Sequence, residues 1–120
     1  MPKLINRPTI TTVGENPPMQ VREFTGTRNT GESGLSVASM NAPMGWTGVG
    51  QKPDFNETLV VFTGMLRVES RGRRDEVQAG QAIQCAAGEW VRYSAPNAGG
   101  ATYMSVCEPS FTEAGAHRGP

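Results

Sequence analysis

Residues 45–64 read GWTGVGQKPDFNETLVVFTG, and this stretch divides into two halves of opposite character. Its first half is rich in Gly and Pro, which interrupt regular elements. Residues 58–62 are β-branched, aliphatic and aromatic, the types that favour strands. The pattern predicts a loop that opens into a strand near Glu57, and the rest of the chain is interpreted outward from this strand.

Short segments on both sides repeat an alternation of apolar and polar residues. The predicted strands lie around Ile10 and Val21 and at residues 35–38, 58–62, 65–69, 81–85, 89–93 and 101–106. Gly72, Gly80, Gly88 and the loop 96–100 place turns about every 8 to 12 residues, a spacing typical of antiparallel sandwiches and barrels. Residues 71–76 are predicted to form a solvated hairpin turn. The sequence therefore predicts an all-β fold.

The composition indicates one small domain built from short segments. The 120 residues include 15 Gly and 9 Pro and are 37% hydrophobic, which suits a single core and disfavours a helical bundle. Residues 1–32 carry prolines that edge strands tolerate, and we interpret them as an extended N-terminal arm of the same domain as a barrel of residues 33–120. Arg22, Glu23 and Arg28 of this arm are interpreted as partners across a dimer.

Charge and cysteine content disfavour several classes of function. Lys plus Arg number 11 and Asp plus Glu number 11, so no net charge attracts nucleic acid. His117 is the single histidine, and Cys85 and Cys107 are too far apart for a CxxC pair or a zinc knuckle. No signal-peptide pattern opens the chain, and no stretch approaches the ~18 apolar residues of a membrane span. We therefore expect a soluble cytoplasmic protein with reduced thiols and no nucleic-acid or membrane partner.

The spacing of the glycines and one carboxylate resembles the cupin superfamily. The first cupin motif is G-x5-H-x-H-x3-4-E-x6-G, and its positions are matched by Gly45, Gln51, Pro53, Glu57 and Gly64. The second motif, G-x5-P-x-G-x2-H-x3-N, overlays on Gly80, Ala86, Gly88, Val91 and Ala95. Residues 106–111, followed by His117 and Arg118, are similar to the ending of many small bacterial single-domain cupins. The resemblance spans about residues 33–118.

This resemblance implies a jelly-roll-like β-barrel of two antiparallel sheets with an extended N-terminal arm. Such barrels are often homodimers that exchange the arm. The resemblance also implies a pocket inside the barrel for a small-molecule substrate or ligand, lined by inward side chains of the motif strands.

The chain departs from the cupin pattern at the metal ligands, which are usually three histidines and one glutamate. The matching positions hold Gln51, Pro53, Val91 and Glu57. Proline and valine side chains have no donor atom for a metal, and borderline divalent ions prefer imidazole and thiolate. We therefore expect no metal or other cofactor, and we interpret His117 in the polar tail as structural or interfacial.

Glu57 is the candidate catalytic residue. A carboxylate inside an apolar barrel is expected to have a raised pKa, because burial disfavours its charged form. A raised carboxyl group can act as a general acid or base near neutral pH, with Gln51 orienting a ligand oxygen and the Tyr93 hydroxyl donating to an oxyanion. In the alternative interpretation Glu57 pairs with an arginine, Arg92 or Arg67, or bonds a tyrosine, and only satisfies a polar interior.

Aromatic and flexible apolar side chains near the two motifs are candidate contacts for a hydrophobic, oxygenated ligand. These candidates are Trp46, Phe55, Met40, Val91, Tyr103 and Trp90. Ordinary packing is the alternative role for each of them. Cys85 has no histidine beside it that would make a thiolate nucleophile, and Cys107 is interpreted as a small buried hydrophobe.

Three functions are consistent with these residues. The first is a metal-independent enzyme, an isomerase, cyclase or lyase, that uses Glu57 for proton transfer. The second is a non-catalytic module that binds or senses a small molecule. The third is a metal-dependent cupin with unusual ligands.

Overall fold

A computed structural model describes residues 1–119, which form nine strands and one short helix. In chain order these are β1 (Thr9–Val13), β2 (Met19–Thr25), β3 (Ser36–Ala42), β4 (Trp46–Thr47), β5 (Asn56–Ser70), β6 (Arg73–Gln78), β7 (Ala82–Cys85), β8 (Val91–Ala95), β9 (Ala101–Glu108) and α1 (Glu113–Ala116). The prediction of an all-β fold is confirmed. Because α1 spans four residues, no helix in this described part of the chain could cross a membrane.

The strands form two antiparallel sheets that share the long strand β5. The order in the first sheet is β1-β2-β3-β9-β5-β7, and the order in the second is β4-β8-β5-β6. The first half of β5 pairs with β9 and β7, and the second half pairs with β8 and β6. β5 therefore carries the chain from one wall of the barrel to the other.

A bend at Gly64 allows β5 to cross between the sheets. The register against β9 shifts between Val61 and Thr63, and Gly64 has φ of +75°. A Cβ atom at this position would collide with the carbonyl oxygen of Gly100, so both the backbone angle and the close approach require glycine. The two predicted segments 58–62 and 65–69 are thus parts of one strand of 15 residues.

The core lies between the two sheets and is built by alternation along each strand. The largest fully buried side chains are Tyr103, Leu59, Leu66, Val61, Val68 and Val91. On β9 the inward residues Ala101, Tyr103, Ser105 and Cys107 are buried, while the residues between them are half-buried. The inward face of β9 therefore becomes more polar towards its C-terminal end, and this is where the candidate site lies.

The N-terminal arm is paired into the first sheet in this chain. β1 pairs with β2, and β2 pairs with β3. Glu23 is buried and accepts hydrogen bonds from the backbone N–H groups of Arg28 at 2.9 Å and Asn29 at 3.0 Å. These bonds hold the loop after β2 against the barrel.

The predicted hairpin turn over residues 71–76 is wrong beyond Gly72. Ser70 and Arg73 already face each other in the β5–β6 pair, so the turn consists of residues 71–72 and the strand begins at once. The reason is pairing with β5, where Arg67 forms an ion pair across the strands with Glu76 at 2.8 Å. Cross-strand ion pairs of this kind let a charged segment form an exposed strand.

Candidate functional site

A small cavity lies inside the barrel between the two sheets. Its volume is about 70 Å³, well below the ~300 to 1,000 Å³ of sites for drug-sized ligands. Strands β1, β2, β3 and β9 supply one wall, residues 46–51 and Tyr93 supply another, and the tail after β9 closes one end. The cavity has room for a ligand of only a few heavy atoms.

Glu57 lies in the cavity wall at the second position of β5. The register places it beside Cys85 of β7 on one side and Cys107 of β9 on the other. Glu57 is 6% exposed. Because the two cysteines are separated by two strand spacings, about 9 to 10 Å, their Cα atoms lie beyond the ~7 Å limit for a disulfide, and both are free thiols.

Both carboxylate oxygens of Glu57 accept a hydrogen bond from a buried hydroxyl. Tyr93 donates to Oε1 at 2.8 Å, and Ser105 donates to Oε2. The arginines considered as partners pair elsewhere, since Arg92 bonds Glu69 at 2.9 Å and Arg67 bonds Glu76. The partners of Glu57 are thus uncharged donors.

A thiol lies behind each of these hydroxyls. Cys85 Sγ lies 3.6 Å from Tyr93 Oη, and Cys107 Sγ lies 3.7 Å from Ser105 Oγ. Together they form a hydrogen-bonded chain of five side chains with Glu57 at its centre. The sequence interpretation missed Ser105, although its parity with Tyr103 on β9 places it on the inward face.

Burial dominates the acid–base properties of this chain of side chains. It raises the pKa of Glu57, and the hydrogen bonds from Ser105, Tyr93 and Cys107 together with the charge of Arg118 offset only part of the rise. Burial and the neighbouring Glu57 charge raise the pKa of Tyr93. Burial also raises the pKa of the Cys85 thiol, and it raises that of Cys107 to about 12. Both cysteines are therefore thiols at neutral pH and not thiolate nucleophiles.

The donor set around the cavity does not fit the cupin metal site. Gln51 lines the cavity, and its backbone N–H and C=O pair with those of Val91. The side chain of Val91 is buried and apolar, so this position offers no metal ligand. His117 lies outside the cavity, where its Nε2 is 2.8 Å from Asp54. Within residues 1–119 no group of three or more His, Cys, Asp or Glu side chains is placed to hold a metal ion.

The structure places the predicted ligand contacts in two groups. Trp46, Met40 and Tyr103 line the cavity together with Gln51, Glu57 and Tyr93. The other three predicted contacts, Phe55, Val91 and Trp90, do not line it. Phe55 packs with Cys107 and Ala116 in a separate apolar cluster, and Trp90 covers Gly50.

Four residues that the sequence interpretation did not assign to a ligand form the mouth of the cavity. Arg28 and Arg118 each lie over the ring of Phe111, with guanidinium carbons 5.2 and 5.7 Å from its centroid. Glu113 bridges both arginines, at 2.9 Å to Arg28 and 3.4 Å to Arg118. Arg28 therefore has a charged partner within its own chain.

No family model matches the chain. It is similar to the endoribonuclease YbeY of Myxococcus xanthus (strain DK1622), with 38% identity over 98 residues. The match covers 82% of this chain and 33% of that protein. The chain thus spans about a third of the length of the curated relative it matches. The name of that relative refers to the full-length protein.

Solved structures with similar folds are cupins of distant sequence. Oxalate decarboxylase from Bacillus subtilis superposes with a TM-score of 0.75 at 19% identity, over 98% of this chain and 33% of that chain. KdgF from a Halomonas species gives 0.72 at 14% identity, over 88% and 90% of the two chains. An RmlC-like cupin from Shewanella frigidimarina gives 0.72 at 14% identity, over 90% and 89%. At these identities the similarity concerns the fold.

Proposed function

This chain has the fold of a small cupin, and we propose that it is a metal-independent enzyme in which Glu57 transfers a proton on a small oxygenated ligand. One observation carries the proposal: the carboxyl group of Glu57 is buried in the cavity wall and bonded to two hydroxyls. A carboxyl group with a raised pKa in a cavity is suited to acid–base chemistry near neutral pH.

The proposed step is an isomerisation or a related proton transfer. The Glu57 carboxylate takes a proton from the carbon beside a carbonyl group, and the acid so formed returns a proton to another atom of the same molecule. No oxidant, reductant or second substrate is required. Gln51, which lines the cavity, is assigned to orient the carbonyl oxygen.

The two hydroxyl bonds support both protonation states of Glu57. When Glu57 is charged, Ser105 donates to it. When Glu57 is protonated, it donates to Ser105, whose hydroxyl turns towards Cys107 at 3.7 Å. The contact of the Tyr93 hydroxyl with Glu57, at 2.8 Å, is shorter than its contact with Cys85, at 3.6 Å, so we assign its proton to Glu57 and Tyr93 as a positioning residue rather than as the oxyanion donor.

Metal independence rests on the side chains that the chain offers. The positions where cupins usually carry histidines hold Gln51, Pro53 and Val91, and two of these side chains have no donor atom. The proposed proton transfer therefore uses only side chains of this chain.

A non-catalytic binding module is the second candidate. It is supported by the same two bonds, because Glu57 with both oxygens satisfied also meets the needs of a buried polar group. Two observations disfavour cleavage of RNA by this chain. The relative with that name is matched over a third of its length, and this chain has equal numbers of basic and acidic residues.

The test is the exchange of carbon-bound hydrogen for deuterium in D₂O, followed by NMR on pyruvate, 2-ketobutyrate and the neutral compound hydroxyacetone. We expect the wild type to exchange at least one compound faster than buffer, and Glu57→Gln to lose this exchange by about 10²-fold or more. Glu69→Gln is the matched control, since it makes the same change on β5 outside the cavity. Exchange at the wild-type rate in Glu57→Gln contradicts the proposal, and exchange at the buffer rate in the wild type favours the binding module.

A further inference from the structure

We infer that the cavity takes a small ligand with a carboxylate group, which Arg28 and Arg118 hold at the mouth in place of Glu113. The inference rests on the proposed function in treating this ligand as the substrate on which Glu57 acts.

The two guanidinium groups are held in place independently of Glu113. Both lie over the ring of Phe111, a cation–π arrangement that favours arginine. The Phe111 ring is itself fixed, because its backbone N–H donates to Ser36 Oγ at 2.9 Å and its ring contacts Phe55 edge-on at 5.6 Å. The mouth therefore keeps two cations at a set spacing.

The side chain of Glu113 shows that a carboxylate group can bridge the two guanidinium groups. One of its carboxylate oxygens accepts a hydrogen bond from Arg28 at 2.9 Å, and the other forms an ion pair with Arg118 at 3.4 Å. A carboxylate of a ligand can make the same two charge-assisted contacts.

Glu113 is also the member of this cluster that can leave. Its side chain is 57% exposed, whereas those of both arginines are 29% exposed. Exposed ion pairs contribute little net stability because water competes for both groups. A ligand carboxylate can therefore displace Glu113 into solvent while the guanidinium groups stay at the cavity.

The remaining charged groups of the cavity fit this orientation. Glu23 is engaged by the backbone N–H groups of Arg28 and Asn29. Glu57 has a raised pKa and is the buried carboxyl group of the cavity wall. A carboxylate at the mouth and a carbonyl or hydroxyl group beside Glu57 describe a short keto or hydroxy acid. Such a molecule suits a cavity of about 70 Å³.

The experiment is an NMR titration of the ¹⁵N-labelled protein with pyruvate and with its neutral amide, pyruvamide. We expect pyruvate to bind the wild type more tightly than pyruvamide by about tenfold or more, because the charge-assisted bonds need the carboxylate. In Glu113→Gln, pyruvate should bind up to about fivefold more tightly, since the competing side chain has lost its charge. In Arg118→Gln, pyruvate should bind about tenfold more weakly or worse.

Arg73→Gln is the matched control, because Arg73 pairs with Asp75 on β6 and does not line this cavity. If Arg118→Gln fails to fold, Glu113→Gln carries the test, since it leaves both guanidinium groups intact. Equal affinity for pyruvate and pyruvamide, no binding of either, or weaker binding of pyruvate to Glu113→Gln overturns the inference.

The outcomes separate this inference from the proposed function. Preferential binding of pyruvate without deuterium exchange on any compound supports the carboxylate site and contradicts the enzyme. Exchange of hydroxyacetone that depends on Glu57, without a preference for pyruvate over pyruvamide, supports the enzyme and contradicts the carboxylate site.

Discussion

The two ends of the cavity handle charge in opposite ways. At the buried end Glu57 has hydroxyl partners, Tyr93 and Ser105, and thiols behind them. At the mouth the carboxylate of Glu113 is shared by two guanidinium groups and is half in water. The direct partners of Glu57 are thus neutral donors shielded from solvent, whereas those of Glu113 are cations beside solvent. Of these cations, Arg118 also acts on Glu57 through its charge.

A different physical effect governs each end. At the buried end desolvation exceeds the help from hydrogen bonds, so the protonation of Glu57 responds to its surroundings. At the mouth solvent screens the attraction, so the ion pairs are weak and exchangeable. Substitutions at the buried end should therefore change stability and pH dependence, and those at the mouth should mainly change which anion occupies it.

The largest effect on stability is expected when the buried end loses a donor. Ser105→Ala leaves Oε2 of Glu57 without its hydroxyl partner, and an unsatisfied buried polar group costs about 1 to 3 kcal/mol. Urea unfolding at neutral pH measures the change in the free energy of unfolding. Ser94→Ala, at a buried serine of β8, is the control. Equal losses in the two variants would show that Glu57 does not depend on Ser105.

A smaller change in the free energy of unfolding, counted per pH unit, is expected when pH is varied. Because the pKa of Glu57 is raised by folding, the folded chain binds a proton more tightly than the unfolded chain. Stability should therefore fall as pH rises from the ordinary value of 4.5 through the raised pKa, by up to about 1.4 kcal/mol per pH unit. In Glu57→Gln this fall should be absent, so the stability of the variant should rise relative to that of the wild type as pH rises. Parallel curves of unfolding free energy against pH for the two proteins would contradict a raised pKa.

Much of the fold could be predicted from the sequence, because strand alternation and turn glycines are local signals. The exception at Gly64 has a physical cause: a glycine with positive φ is typical of a turn, but here it bends one continuous strand. The start of β6 at Arg73 was missed because its charged residues are typical of a solvated turn. Only pairing with β5 makes these residues a strand.

The candidate site was predictable at one end only. The spacing within the central stretch and the strand parity of Tyr93 indicated the buried end, and the parity of β9 would have added Ser105. The mouth was not predictable, because Arg28 and Glu113 are 85 positions apart in the chain. Their contact depends on how the loop after β2 and the tail after β9 meet, and no local pattern encodes that meeting.

The smallest effect on stability is expected at the mouth. Glu113→Gln removes the charge from two partly exposed ion pairs, so the free energy of unfolding should change by less than about 1 kcal/mol. The change should shrink further between about 50 and 500 mM NaCl, because salt screens exposed charges, whereas the loss in Ser105→Ala should not. Urea unfolding of both variants at the two salt concentrations measures this contrast. A large, salt-independent loss in Glu113→Gln would mean that the mouth is a fixed structural cluster like the buried end. Glu113 would then be unable to give way to a ligand, because displacing it would cost the fold as much as removing Ser105.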